Sequence, residues 1–569
     1  MDTLTGAGYS LDPNAVDMLN AYVPYPNNGV DGYVAAPSIP TNYRQEAIRV
    51  DQNINVKTTL FVRFTQDSWN QRLTPALWSG DTYDSVVSPW QVPAKNMVLR
   101  LTSTFKPNLM NEVILACMNS DHNTLVPRVG FAYDPTGNGK TAIRGGLGMY
   151  HDLAAGIDVG VNEIEGGPPA VLSPVAANIV GYQNIVPGPL APASMGAVPT
   201  NMRIPYVMQY NVTLQHEFKG GNFLSVAWVG SNARRLNTGR NINLPAMNSG
   251  TVNVPALAGA NGCDSSGNCN VQNDIINELQ PTFFFAPYQD YGNITYYEFS
   301  ATSEYNSLQA NLRHAVGHGL TFQAAYTDSH AIDENSAGGE PLTCGGVDDY
   351  DLPRWRGTGN FNLTNVLVMN YVYDLPFFKH SSASFVRNGL GGWEFSGITS
   401  FYSGEPVDFN CGENGMQNGI GQGLRCNTVG ALKIQKGTVN DPTFGPVPTW
   451  FNPGAIAQPL LSQYYANGES GMFGYMGRNI LTGPGRNNWD LALLKSFEAP
   501  WFNGEHSSFQ FRLETFNTFN HPQWKSINAS CSGATPFGGT CNDANNIGNG
   551  EVNGAWAPRL VQLGLKLIF

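Results

Sequence analysis

The sequence predicts an all-β chain, an antiparallel transmembrane β-barrel of about fifteen to sixteen strands with long extracellular loops and short periplasmic turns. Three observations predict it. Apolar and polar residues alternate along many segments, short and long connections interleave along the chain, and no apolar run reaches the roughly 18 residues that a membrane-spanning helix requires.

The alternation is clearest at the C-terminus, where Val561, Leu563, Leu565, Leu567 and Phe569 are apolar and most of the residues between them are small or polar. It recurs at Met208, Tyr210, Val212 and Leu214 against Gln209, Asn211, Thr213 and Gln215, and at Leu320, Phe322, Ala324 and Tyr326 against Thr321, Gln323, Ala325 and Thr327. Phe509, Phe511 and Leu513 alternate with Gln510, Arg512 and Glu514, whose charges suit a watery lumen and not lipid. Alternation alone also fits a soluble sandwich with its polar face outward.

Connection length separates the two readings. Short links fall at 134–140, 219–222, 316–319, 376–391 and 497–507, and long ones at 152–204, 233–303, 329–356, 404–487 and 519–557, in strict interleaving. A membrane barrel is stitched in this way, with short turns at one rim and long loops at the other. The glycines at 137, 139, 220, 221, 317 and 319 supply the positive-φ residues that tight hairpins need. Residues 1–41 read as loop, with a possible short helix at Pro13–Tyr22, and residues 42–569 as the barrel. Counting strand direction back from the last strand gives the first detected strand the same direction, so antiparallel closure calls for at least one more strand upstream.

Composition sets limits. A net charge of −12 with only 13% charged residues gives no basic surface for nucleic acid. The 63 glycines and 37 prolines, with 24 Tyr, 29 Phe and 11 Trp, suit turns and strands. The opening MDTLTGAGYS has neither the basic nor the apolar part of a secretory signal. Cys263 with Cys269, Cys411 with Cys426, and Cys531 with Cys541 form local pairs in polar segments, as loop disulfides do in an oxidising compartment, leaving Cys117 and Cys344 over. A thiolate metal site is the rival, but the Cys263–Cys269 spacing does not fit a zinc knuckle and no companion histidines stand near.

A longer pattern resembles a family. Residues 127–135 (PRVGFAYDP), followed by 139–146 (GKTAIRGG), are similar to a hairpin of Oar-like TonB-dependent transporters. YNSLQ at 305–309, HGLTF at 318–322, GWEFSGI at 392–398, SGEP at 403–406, GPG at 483–485 with NWD at 488–490, FRLETFNTFNHP at 511–522 and PRLVQLGL at 558–565 follow in that family's order. The likeness covers roughly residues 40 to 569. It implies a barrel of the plugged class of about 22 strands, preceded in the family by a carboxypeptidase-regulatory-like domain and a plug, neither of which is visible in this chain. The terminal Phe569 resembles the C-terminal signal of outer-membrane barrels, which implies handling by the barrel assembly machinery. The implied setting is the outer membrane of a Gram-negative bacterium, with TonB as a partner only where an upstream plug exists.

Chemistry beyond this is sparse. Asp333, Glu334, Asp348, Asp349 and Asp351 form an acidic cluster on an outer loop, a weak Ca²⁺ candidate without EF-hand spacing, and a solvated loop is the plainer reading. The GNGKT at 137–141 imitates a phosphate loop, but a strand and not a helix should follow it. No metalloprotease helix or nucleophile elbow occurs, so an enzyme is not expected, nor a cofactor. Tyr371, Tyr373, Phe377, Phe378, Trp501, Phe502 and Phe569 fall near periplasmic strand ends as an interfacial girdle. Phe283, Phe284, Phe285, Tyr288 and Tyr291 offer loop aromatics for self-packing or for stacking on carbohydrate. The expected function is transport or reception of an unidentified large solute. The alternatives are a structural or adhesive surface protein and an ungated pore.

Overall fold

The computed structural model describes residues 25–29, 38, 40–73, 76–78, 81–82, 88–91, 94–118, 125–151, 193–199, 203–243, 251–253, 265–266, 268–270, 287–288, 291–317, 319–336, 352–409, 411, 425–441, 445–458, 475–498, 507–531, 541 and 550–568. Two compact units divide the chain, one of residues 1–130 with 171–191 and one of residues 131–170 with 192–569.

In the first unit, β1 (Thr41–Asn55), β2 (Thr58–Leu73), β3 (Ala94–Lys106) and β4 (Leu109–Met118) form an antiparallel meander. β5 (Leu125–Tyr133) begins in this unit, where the Asn111 side chain donates to the Gly130 carbonyl at 3.2 Å. Register separates the two faces. Ile48 and Val50 lie opposite Phe64 and Val62, which lie opposite Met97 and Leu99, and Leu99 lies opposite Leu115. The other face carries Arg49, Asp51, Arg63, Arg100 and Glu112, with ion pairs Arg49–Asp51 at 2.7 Å and Arg100–Glu112.

The second unit begins at Phe131. It holds β6 (Thr141–His151), β7 (Tyr206–Phe218), β8 (Asn222–Asn241), β9 (Tyr291–Gly317), β10 (Leu320–Asp333), β11 (Asn365–Asp374), β12 (Trp393–Tyr402), β13 (Arg486–Glu498), β14 (Ser508–Phe516) and β15 (Leu560–Ile568). Each pairs antiparallel with the next along the chain. One cross-strand row reads Ile143, Leu214, Val226, Ala310, Tyr326, Leu367, Phe401, all apolar or aromatic. The adjacent row, on the opposite face, reads Ala142, Gln215, Ser225, Asn311, Ala325, Val368, Ser400, Asn488, mostly small or polar. Near the end of the chain Leu493, Leu513 and Leu563 continue the apolar face, and the Arg512–Glu514 ion pair, at 2.9 Å, lies on the other.

The apolar faces are open. Val212, Trp228, Leu308, Leu563 and Leu565 are 48, 51, 50, 69 and 71% exposed, while the hydrophobic core lies among the loops. Side chains of this kind gain about 1.5–3 kcal/mol each on leaving water, so a continuous band of them needs hydrocarbon against it. Three close approaches sit on this face. A methyl group on Gly230 would overlap the Tyr210 ring, on Gly397 the Tyr371 ring, and on Gly145 the Phe131 ring, so each glycine is the floor beneath a neighbouring aromatic.

The turn at 134–140 is a hairpin and not a phosphate loop. Asp134 accepts from the backbone N–H groups of Thr136, Gly137 and Gly139 at 3.0, 2.9 and 2.7 Å, Gly137 and Gly139 have φ of 68° and 74°, and β6 follows as a strand. Two expected loops need correction, the first at 152–204, where Ala193–Ala197 is a strand that pairs parallel with residues 291–296 of β9. In the second, β8 continues to Asn241 and β9 starts at Tyr291, so strand replaces loop at 234–241 and 291–303. Period two is lost in the extension, because the register of β8 against β9 shifts between Ala233 and Asn237, and Ile294, Tyr297 and Ala301 of β9 are buried among mostly polar β8 residues. Arg234–Glu304 at 2.9 Å and Arg240–Glu298 at 3.0 Å fasten the extension.

Candidate ligand-capture site

The loop after β12 and the loop after β14 are sewn into one structure. In the first, 406–407 pairs with 481–482 and 427–428 with 456–457, and Ile434–Asp441 forms a hairpin with Gly445–Phe451. In the second, Trp524–Ile527 pairs with Val552–Ala555. The Trp450 N–H donates to the Gly550 carbonyl at 2.9 Å, the Cys541 N–H to Ile456 at 2.8 Å, and the Gln458 amide to the Cys531 carbonyl at 3.0 Å, all between the two loops.

These bonds surround a small apolar core of Val407, Phe409, Phe451, Ile456, Met476 and Leu481, with Trp450 and four cysteines. Cys411 joins Cys426 across 15 residues and Cys531 joins Cys541 across 10, with Cα–Cα separations of 4.9 and 5.3 Å. All four are fully buried, and the Cys411 and Cys541 sulfurs approach to 3.8 Å. Sulfurs bonded in this way are not thiolates and hold no metal. Cys263, Cys344 and the side chains of Cys117 and Cys269 lie outside the described residues.

Beneath this core a cavity of about 410 Å³ opens, lined among others by Tyr402, Glu405, Arg486, Trp524, Lys525 and Trp556. Arg486 and Tyr402, register partners on the polar face of β13 and β12, form its floor. The Arg486 guanidinium lies 4.2 Å from the Trp556 ring centre and the Lys525 ammonium 4.8 Å from the same ring. Lys436 caps Trp450 at 5.1 Å and Trp524 at 5.7 Å. The Arg486 Nε is buried without a hydrogen-bond acceptor among the described residues. Indole faces and cations suit a polar, ring-bearing or anionic ligand.

The acidic cluster divides. Asp333 is paired with Arg478 and accepts from the Ser336 hydroxyl at 2.8 Å, and Glu334 accepts from the Thr302 N–H at 2.6 Å and the Thr302 hydroxyl at 3.0 Å. The two described carboxylates are thus engaged by the protein, while Asp348, Asp349 and Asp351 lie outside the described residues. Tyr288 and Tyr291 are stapled to Asn243, which accepts from the Tyr288 N–H at 2.8 Å and donates to the Tyr291 carbonyl at 2.9 Å. Phe283, Phe284, Phe285, Trp501, Phe502 and Phe569 lie outside the described residues. Sequence reasoning missed the Arg486, Lys525, Trp524 and Trp556 group. Trp524 and Lys525 are neighbours in sequence, but Trp556 lies 31 residues further on and Arg486 in a strand, so no local pattern marks the group.

Strands with one lipid-facing side and one polar side, carrying a disulfide-bonded loop structure at one rim, define an outer-membrane β-barrel protein. The outer membrane beta barrel domain family matches residues 5–117 and 115–562, and the chain belongs to that family. Its place is the outer membrane of a Gram-negative bacterium. No curated protein matches the sequence. Among solved structures, the outer membrane transporter YddB of Escherichia coli is similar at 10% identity with a TM-score of 0.44, covering 93% of this chain and 54% of that one. The ferric enterobactin receptor of Pseudomonas aeruginosa, in complex with enterobactin, is similar at 7% identity with a TM-score of 0.41, covering 93% and 54%. The chain spans about half the length of these two solved proteins.

Proposed function

We propose that the chain is the barrel part of a TonB-dependent outer-membrane transporter of the Oar-like kind, whose outer loops capture a large solute and whose polar strand faces line the route inward. The observation that carries this reading is the cavity under the loop core: it is floored by Tyr402 and Arg486 of the polar face, so whatever binds there meets the lumenal wall directly. A purely adhesive surface protein has no need to join its binding pocket to that wall. In this reading a plug domain supplies the gate and the contact with TonB, and β15 is the strand that the barrel assembly machinery takes up.

Metabolite uptake by cells producing this protein in its natural setting tests it. Cells should accumulate a solute that is lost both when TonB is deleted and when residues 406–482 are replaced by a short linker, with the amount of protein at the surface unchanged. Accumulation indifferent to both changes contradicts the reading.

A further inference from the structure

The turn between β11 and β12 has features that transport does not explain. It runs from Leu375 to Gly392 and contains α1 (Ser384–Leu390), a seven-residue helix without a single buried residue. Its apolar side chains are the unusual part: Phe377, Phe378, Phe385 and Leu390 are all more than half exposed, Phe385 at 86%. In water such a cluster on a short turn is unfavourable.

Two hydrogen bonds fix which side of the sheet the end of the helix occupies. The Trp393 indole N–H donates to the Gly389 carbonyl at 3.2 Å, and the Lys495 ammonium donates to the Gly391 carbonyl. Trp393, Lys495 and Phe511 are successive register partners, two residues along from the Phe395, Leu493, Leu513 row, so both donors stand on the apolar face. The C-terminal end of α1 is therefore tied to the lipid-facing side at the short-turn rim and not to the lumen. Its charge has one sign. Lys379 and Arg387 are exposed and lack a carboxylate partner among the described residues, and no Asp or Glu occurs between Leu375 and Gly392. The flanking acids Asp374 and Glu394 pair across the sheet on its polar face.

We propose that this turn is a lipid-binding element, with Phe377, Phe378, Phe385 and Leu390 entering the acyl boundary of the inner leaflet and Lys379 and Arg387 holding the phosphates of anionic phospholipids. The occupant follows from continuity: the turn extends the lipid-facing band of β11 to β13 past the strand ends, and an amphipathic segment with basic flanks is what an anionic interface takes up. Each basic side chain near such a surface shifts the equilibrium about 5.5-fold, so the pair should contribute about thirtyfold.

Amide hydrogen exchange of the folded chain tests this in two vesicle compositions, equimolar phosphatidylethanolamine with phosphatidylglycerol and equimolar phosphatidylethanolamine with phosphatidylcholine. The amides of residues 384–391 should exchange about thirtyfold more slowly in the anionic vesicles. The double variant Lys379→Glu, Arg387→Glu should erase that difference while the amides of β11 and β12 stay protected, which shows the wall intact. Phe385→Ser should raise exchange in both compositions. Equal exchange of the native turn in the two vesicles overturns the proposal. So does a double variant that keeps the difference, or inorganic phosphate that reproduces the protection in the uncharged vesicles.

Discussion

Asp134 shows how much one side chain organises at a periplasmic turn. The Gly139 N–H above all, with the Thr136 hydroxyl and the N–H groups of Thr136 and Gly137, holds its carboxyl below the usual carboxylate range. A carboxyl lowered on folding stabilises the native state fully above its ordinary pKa, and that contribution is lost as pH falls through the folded value, because the unfolded chain then binds the proton more readily. Asp134→Asn should therefore lower the urea midpoint of the vesicle-embedded chain at neutral pH and flatten its decline on acidification. At Gly230 the argument is steric: an added methyl must displace the Tyr210 ring from the strand surface. Gly230→Ala should cost about 1–3 kcal/mol in the same unfolding assay, and Tyr210→Ala in the same chain should recover part of it. Neither effect depends on which solute is carried.

Among the elements, the loop core is the part that sequence reasoning least prepares one for. Period-two alternation marks each strand locally, because every second side chain meets lipid, and β7, β10, β14 and β15 are legible on that ground. The loop core has no period. Its contacts join residues far apart, such as the Cys411 and Cys541 sulfurs, and no short window of sequence contains both partners. Lys495 escapes notice for the same reason, since its acceptor at Gly391 is remote in sequence and only the register shows that it stands on the greasy side. The cysteines were the one visible trace, as local pairs. Opening Cys411–Cys426, which spans 15 residues, removes about 3 kcal/mol from the loop core. Cys411→Ser with Cys426→Ser should make residues 406–482 sensitive to added protease while the strands keep their resistance. Protease resistance unchanged from the native chain would show that the hydrogen bonds between the loops suffice without the disulfide.

At the scale of the molecule, every functional statement depends on which face of the strands meets lipid. The interleaved connection lengths suggested a membrane wall, and the open apolar rows of both units give it physical form. Strand ends were illegible past the apolar band, because β8 and β9 continue there with a shifted register that breaks the alternation and with ion pairs for fasteners. Adjacent positions in the middle of β7 offer the most direct test. Val212 belongs to the apolar face beside Trp228, and Thr213 to the polar face beside Ala227. The unfolding free energy of Val212→Arg and of Thr213→Arg, each folded into vesicles, reads the two faces separately. Val212→Arg should lose about 2–4 kcal/mol, as a charge in mid-bilayer does, and Thr213→Arg should change little. Equal losses at the two positions, or the larger loss at Thr213, would contradict the account.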